Sequence, residues 1–329
     1  MTPRKKLVVG LAVLSAALVL AFFWALIAGR ARVPVGEMFS AKYAPLVKLR
    51  AARALLGIIV GAGLSTAGLI LGGVQLIRKA DPYVLGVSSG AGLGAALAIL
   101  GGVAAAGAWV IPGCAFGGAV LAITLVYVLA RVGKTVPVYT LLLAGVIINS
   151  IASSLLIFLA HTAIARGQGL YSVLWWLLGS LQVFEAWPVA VAGMAIGAGI
   201  AVTILFARDL NVLSIGEEPA AHLGLRVERT KKLLFVISSL VTGAAVATSG
   251  LIGFVGLIVP HAVRLVVGPD NKVLVPLSAL AGGTFLIICD IIARTILSSG
   301  ELPIGVITAF LGGPFFIYLL RTHRGSMTK

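Results

Sequence analysis

Side chains that could do chemistry are few in this chain of 329 residues, and they are scattered along it. The four histidines stand in four separate segments, without a His-x-x-x-His pair or a carboxylate-plus-histidine cluster, so the sequence predicts no metal site. Gly133, Lys134 and Thr135 look like the end of a phosphate-binding loop, but Val128 stands where that loop requires its first glycine. The sequence therefore predicts no nucleotide site, no catalytic residue and no cofactor.

The clearest ionisable residues within apolar segments are Asp290 and Arg294, which are four positions apart and so share one helix face. An ion-coupled carrier would place such residues in the middle of the membrane, whereas a mutual ion pair is the plainer interpretation. Asn149 and Gln75 could line a path or form hydrogen bonds between helices. A transporter with neither an ATP site nor an ion relay needs a separate subunit to supply its energy.

The composition shows what kind of fold must position these residues. Hydrophobic residues make up 60% of the chain, charged residues 11%, and the mean hydropathy is +1.13. So little polar surface cannot cover a soluble globule, and the apolar runs are about twice as long as the ~10-residue strands of a membrane barrel. The sequence predicts an all-α polytopic membrane protein embedded in a lipid bilayer. The net charge of +15 lies between the apolar runs, which indicates topology determinants and no nucleic-acid partner.

At about 20 apolar residues per crossing, we predict ten spans, at 7–28, 55–77, 84–104, 109–130, 138–160, 187–207, 233–250, 252–267, 273–296 and 304–320. Most of the 25 basic residues then fall on one side, which the positive-inside rule makes cytoplasmic. Both termini are predicted on that side. The span at 252–267 is short and contains Pro260, so the topology after it depends on that one crossing.

An internal repeat is predicted from two similar segments. Residues 61–70 and 243–252 are identical at six of ten aligned positions. They lie in the second span and at the end of the seventh, and the two halves begin at these spans, five crossings apart. The second-to-fifth and seventh-to-tenth spans therefore form an inverted repeat, which is typical of transporters.

Two stretches between spans are long enough to carry function. The first, 208–232, is predicted to be cytoplasmic and to form two short surface helices with breaks at Pro219 and Gly224. The second, 161–186, is predicted to be extracytoplasmic. Trp175, Trp176 and Trp187 in and beside it are typical of an interfacial belt.

Seven short runs, in order along nearly the whole chain, form a recognisable pattern. The most specific are Gly-x-x-Gly-Phe-x-Gly-Leu-x-x-Pro-His from Gly250 and Glu-Leu-Pro-x-Gly from Glu301. The chain thereby resembles the FecCD family, the permeases of binding-protein-dependent ABC importers for iron chelates, haem and cobalamin. The matching runs are 50–53, 81–91, 141–146, 175–179, 216–224, 250–264 and 301–308.

The resemblance implies a ten-span subunit that forms a homodimer, or pairs with a similar half, around a central path. Two cytoplasmic ATPase subunits would drive it, and an extracytoplasmic substrate-binding protein would deliver the ligand. The family's ATPase-coupling loop falls within 208–232, where these residues would seat in a groove of the ATPase: Gly216, Glu217, Glu218, Ala220, Ala221, Leu223 and Gly224.

The resemblance also implies roles for residues at the two membrane surfaces. Arg50, Arg53 and Arg294 match family arginines that meet acidic residues of the binding protein, a second interpretation of Arg294 beside its ion pair with Asp290. The family's path is lined largely by the fifth and tenth spans. Its cytoplasmic constriction falls here on Val138 and Tyr139, and Asn149 is a path candidate on the same span. The family's usual Asn-Pro-Leu piece is missing from 78–82, so the resemblance carries no second gate to that segment.

We therefore expect a single transmembrane permease domain over residues 1–329, in the cytoplasmic membrane of a bacterium or archaeon. The expected cargo is an iron chelate, either a ferric siderophore or haem, with cobalamin as the alternative. An ion-coupled secondary transporter that acts without an ATPase is the alternative of another class. Polar residues in a path that must release a bulky ligand are few, so the sequence does not select among these cargoes.

Overall fold

The structure is a computed structural model. It describes residues 3–29, 34, 36, 40–73, 83, 86–133, 136–165, 170–183, 185–297 and 300–324. Its elements are helices, which confirms the predicted all-α class. They are α1 (Pro3–Ile27), α2 (Ala44–Gly73), α3 (Val87–Leu100), α4 (Val110–Ala130), α5 (Val138–Ala165), α6 (Leu170–Leu177), α7 (Ala186–Leu205), α8 (Ala207–Leu213), α9 (Glu217–His222), α10 (Val227–Ser249), α11 (Val255–Val267), α12 (Asn271–Thr295) and α13 (Ile304–Arg324), with a 3₁₀ turn at Val103–Ala106.

Among the described residues, seven helices are long and apolar enough to cross a membrane. They are α1, α2, α4, α5, α7, α10 and α12. Three shorter apolar helices, α3, α11 and part of α13, coincide with the other predicted spans. The polytopic character is thus confirmed, while the count of ten crossings and the side of each terminus stay predictions. Helix α2 begins at Ala44 rather than near residue 55, because its first turns contain Lys48, Arg50 and Arg53 and therefore do not form part of an uninterrupted apolar run.

Helix α2 is the central helix of the bundle, and it packs against α12, α10, α11, α7 and α1. Small residues make these contacts close: a Cβ added to Gly61 would overlap the backbone carbonyl of Gly282 on α12. Gly90 of α3 and Gly118 of α4 approach each other in the same way. Glycine at such crossings lets helix backbones meet without intervening side chains, a common way to gain contact in lipid.

The packing of the two halves shows the exchange of partners expected of a two-fold internal repeat. In the predicted repeat, α2 corresponds to α10 and α4 corresponds to α12. Helix α2 packs on α12, and in the other half α10 packs on α4. This reciprocal pairing supports the repeat that was predicted from residues 61–70 and 243–252. The repeat remains a prediction for the spans as a whole.

Irregular segments next to α6, α10 and α13 meet inside the bundle, where backbone hydrogen bonds and the hydroxyl of Tyr83 hold them together. The amide of Ser180 donates to the carbonyl of Ser249 over 2.8 Å, and the amide of Ile304 donates to the carbonyl of Gly179 over 3.1 Å. Tyr83 Oη donates to the carbonyl of Ile252 over 2.8 Å. Irregular backbone at membrane depth is tolerated only when it is satisfied within the protein, as it is here.

This junction corrects two predictions. The segment 161–186 does not lie wholly at the surface, because Leu181 is fully buried and 178–183 folds back into the bundle. The predicted span at 252–267 is a helix of 13 residues that starts only at Val255, after a break at 250–254. Phe254 caps it with a φ of 69°, a left-handed conformation that is uncommon for a residue other than glycine.

Candidate functional site

A cluster of charged side chains joins α2, α12 and the segment that precedes α13. Arg53 Nε donates to Asp290 Oδ1 over 2.8 Å, and Arg53 Nη1 donates to Glu301 Oε2 over 2.9 Å. Arg294 Nε lies 2.9 Å from Asp290 Oδ2. The predicted ion pair between Asp290 and Arg294 is therefore present, and it belongs to a larger cluster with Arg53 and Glu301.

Burial makes this cluster energetically demanding. The side chain of Asp290 is 1% exposed and that of Arg53 13%, whereas Glu301 is 36% exposed and lies at the edge. A charge in such a position is tolerated only when it is paired and hydrogen-bonded. Asp290 is paired through both carboxylate oxygens, each of which faces a different guanidinium, and Oδ1 also accepts a hydrogen bond from Arg53, whereas the contact of Oδ2 with Arg294 is an ion pair without hydrogen-bond geometry.

Two arginines hold the end of α1. Arg50 Nη1 donates to the carbonyls of Leu26 and Ile27 over 2.9 and 3.0 Å. Arg294 Nη1 donates to the carbonyl of Ala28 over 3.2 Å and also reaches Ala25. The last carbonyls of a helix lack partners within it and carry partial negative charge, so cations are favourable there.

The three arginines predicted to dock a binding protein are thus brought together at one end of the bundle. Arg50 and Arg294 are buried, with 6% and 5% exposure, and the contacts described for them lie within this chain. Arg53 is the more accessible of the three. The docking role itself stays a prediction.

The predicted coupling segment contains two short helices, α8 and α9, which pack on each other. The predicted break at Pro219 is wrong. Pro219 lies in the first turn of α9, where proline is tolerated. The breaks are at Gly216 and Gly224, whose φ angles are 144° and 85°. Residues 227–232 also differ from the prediction, since they form the first turns of α10.

An ion pair and one buried methyl group hold α9 to the bundle. Lys231 Nζ on α10 lies 2.9 Å from Glu217 Oε1 and 3.2 Å from Glu228 Oε1. Ala220 is fully buried, and its carbonyl accepts from the amide of Leu225 over 3.1 Å. Of the predicted coupling residues, Glu217 and Ala220 therefore anchor the helix from its inner side.

Four of the other five coupling residues are exposed, while Gly216 is partly buried. Glu218, Ala221 and Gly224 are exposed, and Leu223 is 68% exposed. Ile215, which the sequence did not single out, is 65% exposed just before α9. Two strongly exposed aliphatic side chains therefore flank α9.

The gate and path candidates lie on α5. Val138 is its first residue, and the side chain of Val138 is outside the described part of the structure. Tyr139 is 75% exposed. Asn149 Oδ1 accepts from Ser89 Oγ of α3, so the hydrogen bond between helices that was one interpretation of Asn149 is present. Gln75 and 78–82, the segment that lacks the family's Asn-Pro-Leu piece, lie outside the described residues.

Within the described ranges, no three histidine, cysteine, aspartate or glutamate side chains come together as a metal site would require. The charged groups of the Asp290 cluster neutralise one another in part, and its arginine Arg294 also binds the end of α1. The more exposed charges, on Arg53 and Glu301, could contact a partner. The charged groups are not arranged as a chain of proton acceptors through the bundle, since the cluster is confined to the ends of α1 and α12 and the start of α2.

Comparison with known proteins accounts for nearly the whole chain. The profile of the FecCD transport family matches residues 17–322. The cobalamin import system permease protein BtuC of Halobacterium salinarum is 45% identical over 281 residues, which cover 83% of this chain and 72% of that protein. The hemin transport system permease protein HmuU of Yersinia pestis is 37% identical over 281 residues, which cover 84% and 83%.

The fold has a counterpart among solved structures. One described as an inward-facing metal-chelate type ABC transporter superposes with a TM-score of 0.83 at 26% identity, over 97% of this chain and 99% of that one. The apolar helices, the order of the sequence motifs and these similarities agree. The chain belongs to the FecCD transport family and is a multi-pass membrane permease of the ABC importer class.

Proposed function

We propose that the chain forms, as a homodimer, the translocation path of an ATP-driven importer for a metal chelate. Each copy is a single transmembrane domain over residues 1–329, with ten crossings and both termini in the cytoplasm. Two ATPase subunits bind on the cytoplasmic side, and a binding protein delivers the ligand on the other. The observation that carries the proposal is the family match over 17–322, together with an outward-facing coupling segment at 216–224.

The coupling role rests on how α9 is mounted. Glu217 and Ala220 fasten its inner side to α10 and the bundle, so a force applied to α9 is transmitted to the spans. Leu223, Glu218 and Ala221 then remain free to contact a groove of the ATPase. A flexible tether would not transmit such a force, whereas a short helix clamped by an ion pair does.

The docking role rests on the charge at the opposite end. Arg50, Arg53 and Arg294 lie in one cluster with Asp290 and Glu301, which leaves a formal charge of +1. Acidic side chains of a binding protein would complement this charge, and Arg53 with the half-exposed Glu301 is where they would make contact. Electrostatic complementarity of this kind contributes mainly orientation and association rate.

The path is proposed along α5 and α13. On α5 the outward face carries Val146, Ile147 and Ile151 together with the hydroxyls of Ser150 and Ser154. On α13 Phe310 is 78% exposed. Val138 and Tyr139 form the cytoplasmic constriction at the start of α5, and Asn149 borders the path near the α3 contact.

The cargo is proposed to be an iron chelate or a corrinoid. The sequence alone favoured a ferric siderophore or haem. Relatives named for cobalamin or vitamin B12 import are 45% and 35% identical and one named for hemin transport is 37% identical, so sequence identity does not rank cobalamin above haem. A relative from Bacillus subtilis named for Fe(3+)-citrate import is 34% identical, which supports ferric chelates as cargo candidates.

Reconstitution tests the proposal directly. The permease is placed in proteoliposomes with its ATPase and binding protein, and uptake of cyanocobalamin, haem and a ferric chelate is measured with ATP on the ATPase side. We expect one of these ligands to accumulate with ATP and not with an ATPase variant unable to hydrolyse it. The absorption spectrum of the ligand that copurifies with the binding protein identifies the cargo independently.

The ion-coupled carrier is the competing function. Among the described residues, the buried charged side chains of the spans are Arg50, Asp290 and Arg294 near one end and Lys231 near the other, so they do not form a relay across the bundle. Uptake by the permease alone that collapses with the proton gradient would support the carrier and overturn the ATP-driven mechanism.

A further inference from the structure

A basic cavity opens beside the first turns of α10. It has a volume of about 270 Å³ and lies between α10, the end of α4 and the start of α5. Among the described residues that line it, four are cationic, Arg131, Arg229, Lys231 and Lys232, and one is a carboxylate, Glu228, which gives a formal charge of +3. Of these residues, the transport mechanism proposed above uses Lys231, through its ion pair with Glu217, and assigns no role to the cavity itself.

The cations of the cavity differ in how far their charge is already neutralised. Lys231 is buried and faces two carboxylates, Glu217 and Glu228. Arg131 Nε donates to the carbonyl of Gly133 over 2.9 Å, which leaves its charge in place. Lys232 Nζ lies 5.5 Å from the ring centroid of Tyr127, again a neutral partner. The cavity therefore retains positive charge that can be directed at an anion.

The face of α10 that leads away from the cavity changes from charged to apolar. Arg229 and Lys232 are exposed on its first turns. Leu233, Val236 and Leu240 follow on the same face at helical spacing, with 40%, 41% and 45% exposure. Because α10 is a membrane-spanning candidate, a ligand seated here meets cations at the membrane surface and hydrocarbon along the span.

We propose that this cavity binds the phosphate of an anionic phospholipid headgroup, with an acyl chain lying along Leu233, Val236 and Leu240. Basic pockets between transmembrane helices on the cytoplasmic side are known to bind such headgroups. A free phosphate would neutralise the cations but would make no contact with Leu233, Val236 and Leu240. Because the cations and these apolar side chains are adjacent, the site favours a lipid. A lipid bound here touches Lys231 and so lies next to the ion pair that holds α9.

The experiment uses the full-length permease in a mild, lipid-free detergent. Phosphatidylglycerol is added, with phosphatidylcholine, soluble glycerophosphoglycerol and inorganic phosphate as the other arms. Bound lipid is counted by native mass spectrometry, and the unfolding midpoint is followed in parallel. Of these four compounds, we expect only phosphatidylglycerol to remain bound and to raise the unfolding midpoint of the permease.

Two substitutions test the site. The double variant Arg131→Gln/Lys232→Gln should bind phosphatidylglycerol about 30-fold more weakly, since each cation near an anionic surface contributes about fivefold. Lys232→Arg should retain binding, and Lys272→Gln, an exposed cation on the same side that does not line the cavity, should leave it unchanged. The double variant is folded if its unfolding midpoint in phosphatidylcholine equals that of the unsubstituted chain. If the double variant is unfolded, the single variants Arg131→Gln and Lys232→Gln are used for the same measurement.

Three outcomes would overturn the inference. The first is equal retention of phosphatidylglycerol and phosphatidylcholine. The second is equal retention of phosphatidylglycerol by the double variant and the unsubstituted chain. The third is binding of inorganic phosphate or glycerophosphoglycerol as strongly as the intact lipid, which would make the cavity a site for free phosphate. None of these readouts depends on transport, so they are separate from the test of the importer.

Discussion

Arg53 on α2 and Asp290 on α12 form an ion pair with an Nε–Oδ1 distance of 2.8 Å, although they are 237 positions apart in the chain. The pair ties the end of the central helix to the helix that it contacts most extensively, and through Arg294 it reaches the carbonyl end of α1. One buried carboxylate thus connects three helices. The same group of residues contains the arginines that we propose to dock a binding protein.

Replacing this carboxylate tests its structural role. Asp290→Asn leaves the buried Arg294 without its paired carboxylate and leaves Arg53 with only the more exposed Glu301, so we expect a loss of about 3–5 kcal/mol in the free energy of unfolding. Thermal unfolding of the purified permease in detergent measures it. Glu218→Gln removes an exposed carboxylate and serves as the stability control, with little expected change. An unchanged midpoint for Asp290→Asn would show that the cluster adds nothing to stability.

The close helix contact at Gly61 predicts an asymmetry between two glycines. Gly61→Ala places a methyl group against the backbone of Gly282, which should cost about 1–3 kcal/mol because neither backbone can yield easily. Gly197→Ala is the matched control, since no described atom lies within 4 Å of the added Cβ. It should be neutral or stabilising by up to about 1 kcal/mol. Equal effects of the two substitutions would contradict the close contact.

Outward-facing residues of the coupling segment should affect assembly without affecting folding. Leu223→Asp is expected to weaken association with the ATPase by at least about tenfold, because an exposed leucine of this kind is a good anchor in a partner's groove. Copurification with the ATPase measures assembly, and thermal unfolding monitors the fold. Val103→Asp, an exposed aliphatic residue in the turn between α3 and α4, is the matched control. ATPase binding that survives Leu223→Asp would remove this residue from the interface.

At the other end, Arg53→Gln should weaken docking of the binding protein in a salt-dependent way. We expect the Kd at low salt to rise about tenfold, and the difference to shrink as salt screens the charges. Lys48→Gln removes the same charge from an exposed position on α2 and should have a smaller effect. Equal shifts for the two variants would indicate only a general dependence on charge. Arg50 is less suitable for this test because it also holds α1.

Tyr139 provides a test of the proposed gate. Tyr139→Ala should increase leakage of the cargo from loaded proteoliposomes severalfold in the absence of ATP, since the exposed ring at the start of α5 would no longer narrow the path. Tyr171→Ala alters an equally exposed tyrosine on α6 and should leave the leak unchanged. A leak that is the same in both variants would place Tyr139 at the membrane surface as an anchor only.

Much of the fold was predictable from the apolar runs. A chain in hydrocarbon must satisfy its backbone internally, so each long apolar run becomes a helix whatever its neighbours are. Two short helices in the charged segment were also predictable, and so was the pairing of Asp290 with Arg294, because these depend on local spacing. The start of α2 and the place of Pro219 within α9 were harder to predict, because the ends of a helix depend on capping and on packing outside the apolar run.

The fold class, the family resemblance and the residues that are near one another along a helix can be read from the amino-acid sequence. Three features emerge only when the helices are assembled: 178–183 folds into the bundle, Arg53 and Glu301 complete the Asp290 cluster, and Arg131 joins Lys232 around one cavity. This difference arises because bilayer hydrophobicity acts on each segment separately. Ion pairs, glycine contacts and cavities depend instead on which segments meet, and residues hundreds of positions apart carry no local pattern that predicts their meeting.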